Sequence, residues 1–168
     1  MATNSSPTSA GALLRLIREE VAVTRADLAR ATGLARSPVA QRVDALLEQQ
    51  LVYEAGGNPS TGGRPATVLA FNREAGVVLV ADLGATHARV AVSDLVGTPL
   101  AERTSDLDIA SGPEHALAWV TERFTELLDD VGRSHEDVQG IGIGVPGPVE
   151  FESGRPVNPP IMPGWDDF

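Results

Sequence analysis

In the first part of the chain, apolar positions recur every three or four residues and the polar positions between them fall on the opposite side. Leu13, Leu14 and Ile17 face inward on a helix expected over residues 10–20, with Arg15, Arg18 and Glu19 outward. Thr24, with Asp27 three residues on, is the acidic variant of the capping box that opens a second helix, in which Leu28 and Ala29 turn inward. Gly33 suits the end of that helix, because glycine takes the left-handed backbone without a Cβ penalty, and Leu34 drops back into the core. A third helix is expected over about residues 37–50, with Ser37 as its cap and Pro38 in its first turn. Val39, Val43, Leu46, Leu47 and Gln50 fall on its inner side, and Ser37, Gln41, Asp44 and Glu48 on its outer side. Residues 24–50 therefore read as a helix-turn-helix.

The pattern then changes period. Residues 51–54 and 66–71 are short β-prone runs separated by the segment GGNPSTGGRP, which describes a hairpin with a long glycine-rich tip. A strand pair placed directly after the third helix is the wing of a winged helix. After a short polar stretch, residues 77–83 are apolar and β-branched, Gly84-Ala85-Thr86 turns the chain, and residues 88–93 form a second strand. Leu95-Val96-Gly97 makes the next turn and residues 100–107 a third strand, so the three form an antiparallel meander. Ser111 precedes Pro113 and Glu114 at a helix start, and Leu117, Val120, Phe124, Leu127 and Val131 make the apolar stripe of a helix that packs on a sheet. Residues 138–145, VQGIGIGV, read as a further strand whose alternating glycines admit close approach of another backbone or a ligand. Strand, strand, strand, helix, strand is an α/β arrangement.

The organisation expected is a disordered leader over residues 1–9, a winged helix-turn-helix over 10–71, a linker over 72–76 and an α/β unit over 77–168. At 168 residues and 42% hydrophobic, the chain is long enough to bury a core in each part. It has no cysteine, which removes disulfides and thiolate metal sites and fits a reducing compartment. No apolar run approaches membrane-spanning length, and the leader lacks the charged start and hydrophobic stretch of a signal peptide. The protein is expected in the cytoplasm, with no membrane partner.

Charge changes this picture only when divided along the chain. The overall net charge is −10, yet residues 1–71 carry net +1 and residues 72–168 carry net −11. A charge-balanced first part argues against tight non-specific DNA binding, since cationic side chains at phosphates supply most of that affinity. Specific binding would then lean on a homodimer.

The chemistry of the third helix is that of a base reader. Arg36, Ser37, Gln41 and Arg42 lie at its N-terminal end, the part that reaches base edges when such a helix enters the major groove of double-stranded DNA. Arginine pairs in bidentate fashion with guanine, and glutamine with adenine. Arg64, near the wing tip, can reach phosphate or the minor groove. The same pattern also describes a helical hairpin with a polar outer face that binds protein instead, with Arg64 as a solvated loop charge.

Beyond residue 76 the chain resembles a known family. Asp82-Leu83-Gly84-Ala85-Thr86, followed by a strand ending at Asp94, resembles the first phosphate loop of the actin-like, ribonuclease-H-like sugar-kinase fold. GIGIGVPGPVE, then GRPVNPPIMPGW, resembles the matching segment of the ROK family, which contains bacterial sugar kinases and sugar-responsive transcription regulators. A winged helix carrying Gly62-Gly63-Arg64-Pro65 before that segment resembles the regulators. The order of these motifs covers nearly the whole chain past the leader.

The resemblance implies that Asp82, Gly84 and Thr86 are the remnant of a phosphate loop, while the residues alone equally describe the cap of a tight hairpin. Ala85 stands where the kinases carry a second glycine, which disfavours nucleotide binding. Glu150 and Asn158 fall in the region that would face the effector cleft, although either also suits a turn. The family's general-base aspartate and its zinc site come after the segment equivalent to Trp165, and His87, His115 and His135 show no ligand spacing. Only the first lobe of the kinase-like fold is therefore expected in these residues, without a cofactor, a metal or catalysis. The function that follows is a sequence-specific DNA-binding regulator of the sugar-responsive ROK type, a repressor, with a sugar or sugar phosphate as effector of the intact protein. The competing reading is a fragment of a ROK sugar kinase that transfers phosphate from ATP to a hexose.

Overall fold

Among the described residues the chain forms four α-helices, two 3-10 turns and six strands. The structure, a computed structural model, describes residues 8–57, 67–166 and 168. It divides into two compact units, Met1–Ala75 and Gly76–Phe168. The leader expected over residues 1–9 lies, for residues 1–7, outside the described residues; Ser9 caps the first helix, its hydroxyl accepting from the Ala12 amide at 3.1 Å.

The first unit is built from helices α1 (Ala10–Arg18), α2 (Arg25–Thr32) and α3 (Arg36–Glu48), followed by strands β1 (Val52–Gly57) and β2 (Thr67–Phe71). Helix α1 stops before the expected Glu20 because Glu20 takes a left-handed backbone at φ 56°. The Val21 amide then reaches the Leu16 carbonyl and the Glu20 amide the Ile17 carbonyl, satisfying the last turn. The same closure ends α3 at Glu48: Gln50 takes φ 57°, with Leu51 donating to Leu46 and Gln50 to Leu47. Gln50 is therefore exposed and off the helix, not on its inner side as its spacing suggests.

Helix α2 opens on the expected Thr24 cap, with the Asp27 carboxylate bonded to the threonine hydroxyl rather than to its amide as in a full capping box. Thr24 Oγ1 accepts from the Asp27 amide at 3.1 Å and donates to Asp27 Oδ2 at 2.6 Å. Gly33 ends it at φ 71°. Helix α3, however, is capped two residues earlier than expected. Its cap is Ala35, which makes no side-chain hydrogen bond, and Ser37 lies inside the first turn. Pro38 fits any of the first positions, where no intrahelical N–H bond is lost, so it does not fix the start.

Strands β1 and β2 pair antiparallel from Val52↔Phe71 through Glu54↔Leu69, and the register shifts between Glu54 and Gly57. Val23 adds one further backbone bond, accepting from the Leu69 amide at 2.7 Å. Leu13, Ile17, Ala22, Leu28, Val39, Val43, Leu46, Val52 and Leu69 make one apolar core, so each of the five elements contributes to it.

The second unit is a four-stranded sheet of β3 (Val77–Leu83), β4 (His87–Asp94), β5 (Pro99–Asp106) and β6 (Val138–Gly144), with helix α4 (Pro113–Asp130) between β5 and β6. The strand order is β5-β4-β3-β6, with β4 antiparallel to both β5 and β3, and β6 parallel to β3. Val120, Phe124, Leu127 and Leu128 of α4 are buried with Leu79, Ala81, Leu83, Val90 and Val92 of the sheet. Ser111 does not cap α4. It lies in a 3-10 turn, Ile109–Ser111, capped by Asp108, and Gly112 at φ 93° precedes the helix. That turn buries Ile109, which is why the chain needs the detour before α4 begins.

Candidate nucleic-acid interface

The core of the first unit dictates which side of α3 is left outside. Val39, Val43 and Leu46 are buried, so the stripe one half-turn away, Ser37, Gln41, Asp44 and Glu48, is exposed together with Arg36. Arg36, Ser37 and Gln41 thus stand together on the opening turns of a helix whose other face is fixed in an apolar core. Arg42 is placed differently. Its guanidinium donates to the Pro38 carbonyl at 3.0 Å, so this side chain lies back along its own helix. Arg64 and the rest of the wing tip, residues 58–66, lie outside the described residues.

Next to this stripe is a set of charges that spacing along the chain does not reveal. Arg25, the first residue of α2, reaches Asp44 Oδ1 at 3.2 Å and Glu54 Oε1 at 3.1 Å. A signal for it existed in the sequence: a cation in the first turn of a helix opposes the helix dipole, and so calls for anionic partners elsewhere.

In the second unit the loop between β3 and β4 is a tight turn in which the Gly84 amide donates to the His87 carbonyl at 2.8 Å. A Cβ at Gly84 would lie 2.6 Å from Cε1 of the exposed His87 side chain, so the imidazole packs over the glycine and would turn aside for a side chain there. The Thr86 and Ala85 carbonyls accept from the Leu107 and Ile109 amides, tying the turn to the chain that follows β5. Asp82 is exposed on β3, opposite Arg89 on β4 and Gly144 on β6. Asp82 at the end of β3, and Gly84 and Thr86 in the turn that follows, therefore lie at one end of the sheet, the turn being closed by the Gly84 to His87 bond. Along β6 a Cβ at Gly140 or Gly142 would meet nothing within 4 Å, while one at Gly144 would lie 3.4 Å from Asp82 Oδ1.

Glu150 and Asn158 both sit in local turns. Glu150 Oε2 accepts from the Ser153 hydroxyl at 2.6 Å, and its amide donates to the Arg155 carbonyl. Asn158 has φ 45°, and its amide donates to Asp166 Oδ1 at 2.6 Å. The two lie on either side of the Val149–Pro156 bridge. Among the described residues no group of His, Cys, Asp or Glu side chains is placed to hold a metal ion, and no helix is long and apolar enough to cross a membrane.

A family described as winged helix-turn-helix DNA-binding matches residues 10–53, which are α1, α2, α3 and the start of the wing. The chain is 31% identical over 138 residues to the xylose repressor of Bacillus spizizenii, covering 82% of this chain and 36% of that protein. It is 28% identical over 149 residues to the DNA-binding transcriptional dual regulator NagC of Escherichia coli K12, covering 88% of this chain and 36% of that one. Its fold is that of a ROK family transcriptional regulator, a homologue of the E. coli MLC protein, with a TM-score of 0.71 at 24% identity over 91% of this chain and 39% of that one. The chain spans little more than a third of the length of these relatives. At 138 residues and more, the alignments take in both the winged helix and the α/β unit, and over that span the chain is similar to the xylose repressors and has the fold of a ROK family transcriptional regulator.

Proposed function

We propose that the chain is a sequence-specific transcriptional regulator, a repressor of ROK type, that binds double-stranded DNA with α3 in the major groove and the glycine-rich wing beside it. The observation that carries this reading is the split of α3. Arg36, Ser37 and Gln41 are exposed on its opening turns while Val39, Val43 and Leu46 of the same helix are buried. Arg42 and Arg64 complete the proposed contact set, as supporting cations rather than as the principal readers. The near-neutral charge of residues 1–71 supports a homodimer, because two half-sites then supply the affinity that phosphate contacts alone do not.

The relatives carry the names xylose repressor and N-acetylglucosamine repressor, which supports a sugar or sugar phosphate as the effector and a regulator rather than a sugar kinase. Glu150 and Asn158 are the candidates for the effector side. Asp82, Gly84 and Thr86 are read as a phosphate-loop remnant that serves the hairpin, so no nucleotide, metal or catalytic step is assigned. A regulator of this kind works in the cytoplasm. The effector would act by binding the DNA-competent and DNA-free conformations with different affinity.

The test is a comparison of Arg36→Ala and Gln41→Ala on a preferred duplex and on a scrambled one. Base readers lose about 1–3 kcal/mol each on the preferred duplex only. Equal losses on both duplexes would assign them to phosphates and remove the argument for sequence reading.

A further inference from the structure

Arg25 holds three elements of the first unit together. It belongs to α2, Asp44 to the outward stripe of α3, and Glu54 to β1 of the wing, with the guanidinium 3.2 Å from one carboxylate and 3.1 Å from the other. The three side chains are 35%, 60% and 49% exposed, and ion pairs this open to water add little to folding stability. What the arrangement supplies is geometry. Arginine's planar fork engages two carboxylates in fixed directions, which a lysine ammonium does not. Glu54 is also in the last regular pair of the β1–β2 ladder before the register shifts, opposite the buried Leu69, so the fork meets the wing at the end of its regular pairing.

We propose that Arg25 is a positioning residue for DNA binding: bridged between Asp44 and Glu54, it sets the wing against the outer face of α3 so that both meet one duplex, and it is not itself a phosphate contact. The inference rests on the DNA-binding reading above. It also assigns Asp44 to the brace rather than to base reading, although it lies on the same stripe as Gln41. The sign of one substitution separates the brace from plain electrostatics. Removing the Glu54 charge takes an anion away from a DNA-facing surface, which by charge alone strengthens binding. If Glu54 anchors the brace, the same change weakens it.

The experiment uses the full chain as wild type, Arg25→Met, Glu54→Gln and the double variant, with a duplex selected from a random-sequence library by the wild type and a scrambled control. Each single variant is expected to bind the selected duplex roughly five- to tenfold more weakly, and the double no more weakly than the worse single, because both remove one shared interaction. Thermal midpoints should be unchanged. Glu54→Gln binding as tightly as wild type or tighter, with Arg25→Met weakened on both duplexes and a shallower salt dependence, would overturn the brace in favour of a phosphate contact. Wild-type preference for the selected duplex with all variants unaffected overturns the inference alone. A wild type that prefers no duplex overturns the DNA reading and the inference with it.

Discussion

The indole Nε1 of Trp165 donates to the carbonyl oxygen of Ile109 across 3.3 Å in the buried core of the second unit. The bond joins the segment after β6 to the 3-10 turn before α4, with Met162 buried beside them. Trp165→Phe keeps most of the apolar burial and leaves the Ile109 carbonyl with the Gly112 amide as its remaining donor, for a cost of about 0.5–1.5 kcal/mol. Trp165→Ala also leaves a cavity and costs about 3–5 kcal/mol. Urea unfolding followed by far-ultraviolet circular dichroism separates the two, and equal small losses would mean that the indole is not part of the core.

Gly84 and His87 make a second coupled pair. Gly84→Ala places a methyl against the far end of the exposed His87 side chain, which can turn aside into solvent, so the loss is expected to stay below about 1 kcal/mol. His87→Ala removes the contact, so the double variant should lose no more than the sum of the singles. A larger loss that persists in the double variant of a double-mutant cycle would show instead that the backbone of the turn itself rejects a side chain at residue 84.

How far these features could be read from the sequence depends on whether their cause is local. The cap at Thr24, the left-handed end at Gly33 and the strand in the apolar, β-branched run of residues 77–83 were legible, because the deciding atoms lie within a few residues of each other. Gln50 was not. A non-glycine residue in a left-handed C-terminal position carries no composition signal, so helical spacing alone placed it inside. Ser37 misled for a related reason, since Ala35 can end an extended segment without any side-chain cap. The exposed face of α3 was legible as a stripe, whereas the bridge from Arg25 to Asp44 and Glu54 depends on residues 19 and 29 positions apart being brought together by the fold.

Strand β6 lies at the end of the sheet order among the described residues, with Ile141 61% and Ile143 43% exposed. It carries no charged residue, so nothing opposes pairing of this edge with another molecule. The chain is expected to self-associate with rising concentration, and Ile141→Thr with Ile143→Thr to reduce it. Sedimentation velocity checks this: a concentration-independent monomer for the wild type would contradict it.

The most direct test of the central claim is selection of bound fragments from the source genome at moderate salt, by the wild-type chain and by the Arg36→Ala, Gln41→Ala double variant. Sequence reading by α3 predicts enrichment of an inverted pair of half-sites by the wild type. It also predicts loss of that enrichment in the double variant, which gives up about 1–3 kcal/mol at each reader. Identical enrichment by both proteins, or no enriched sequence with either, would contradict it.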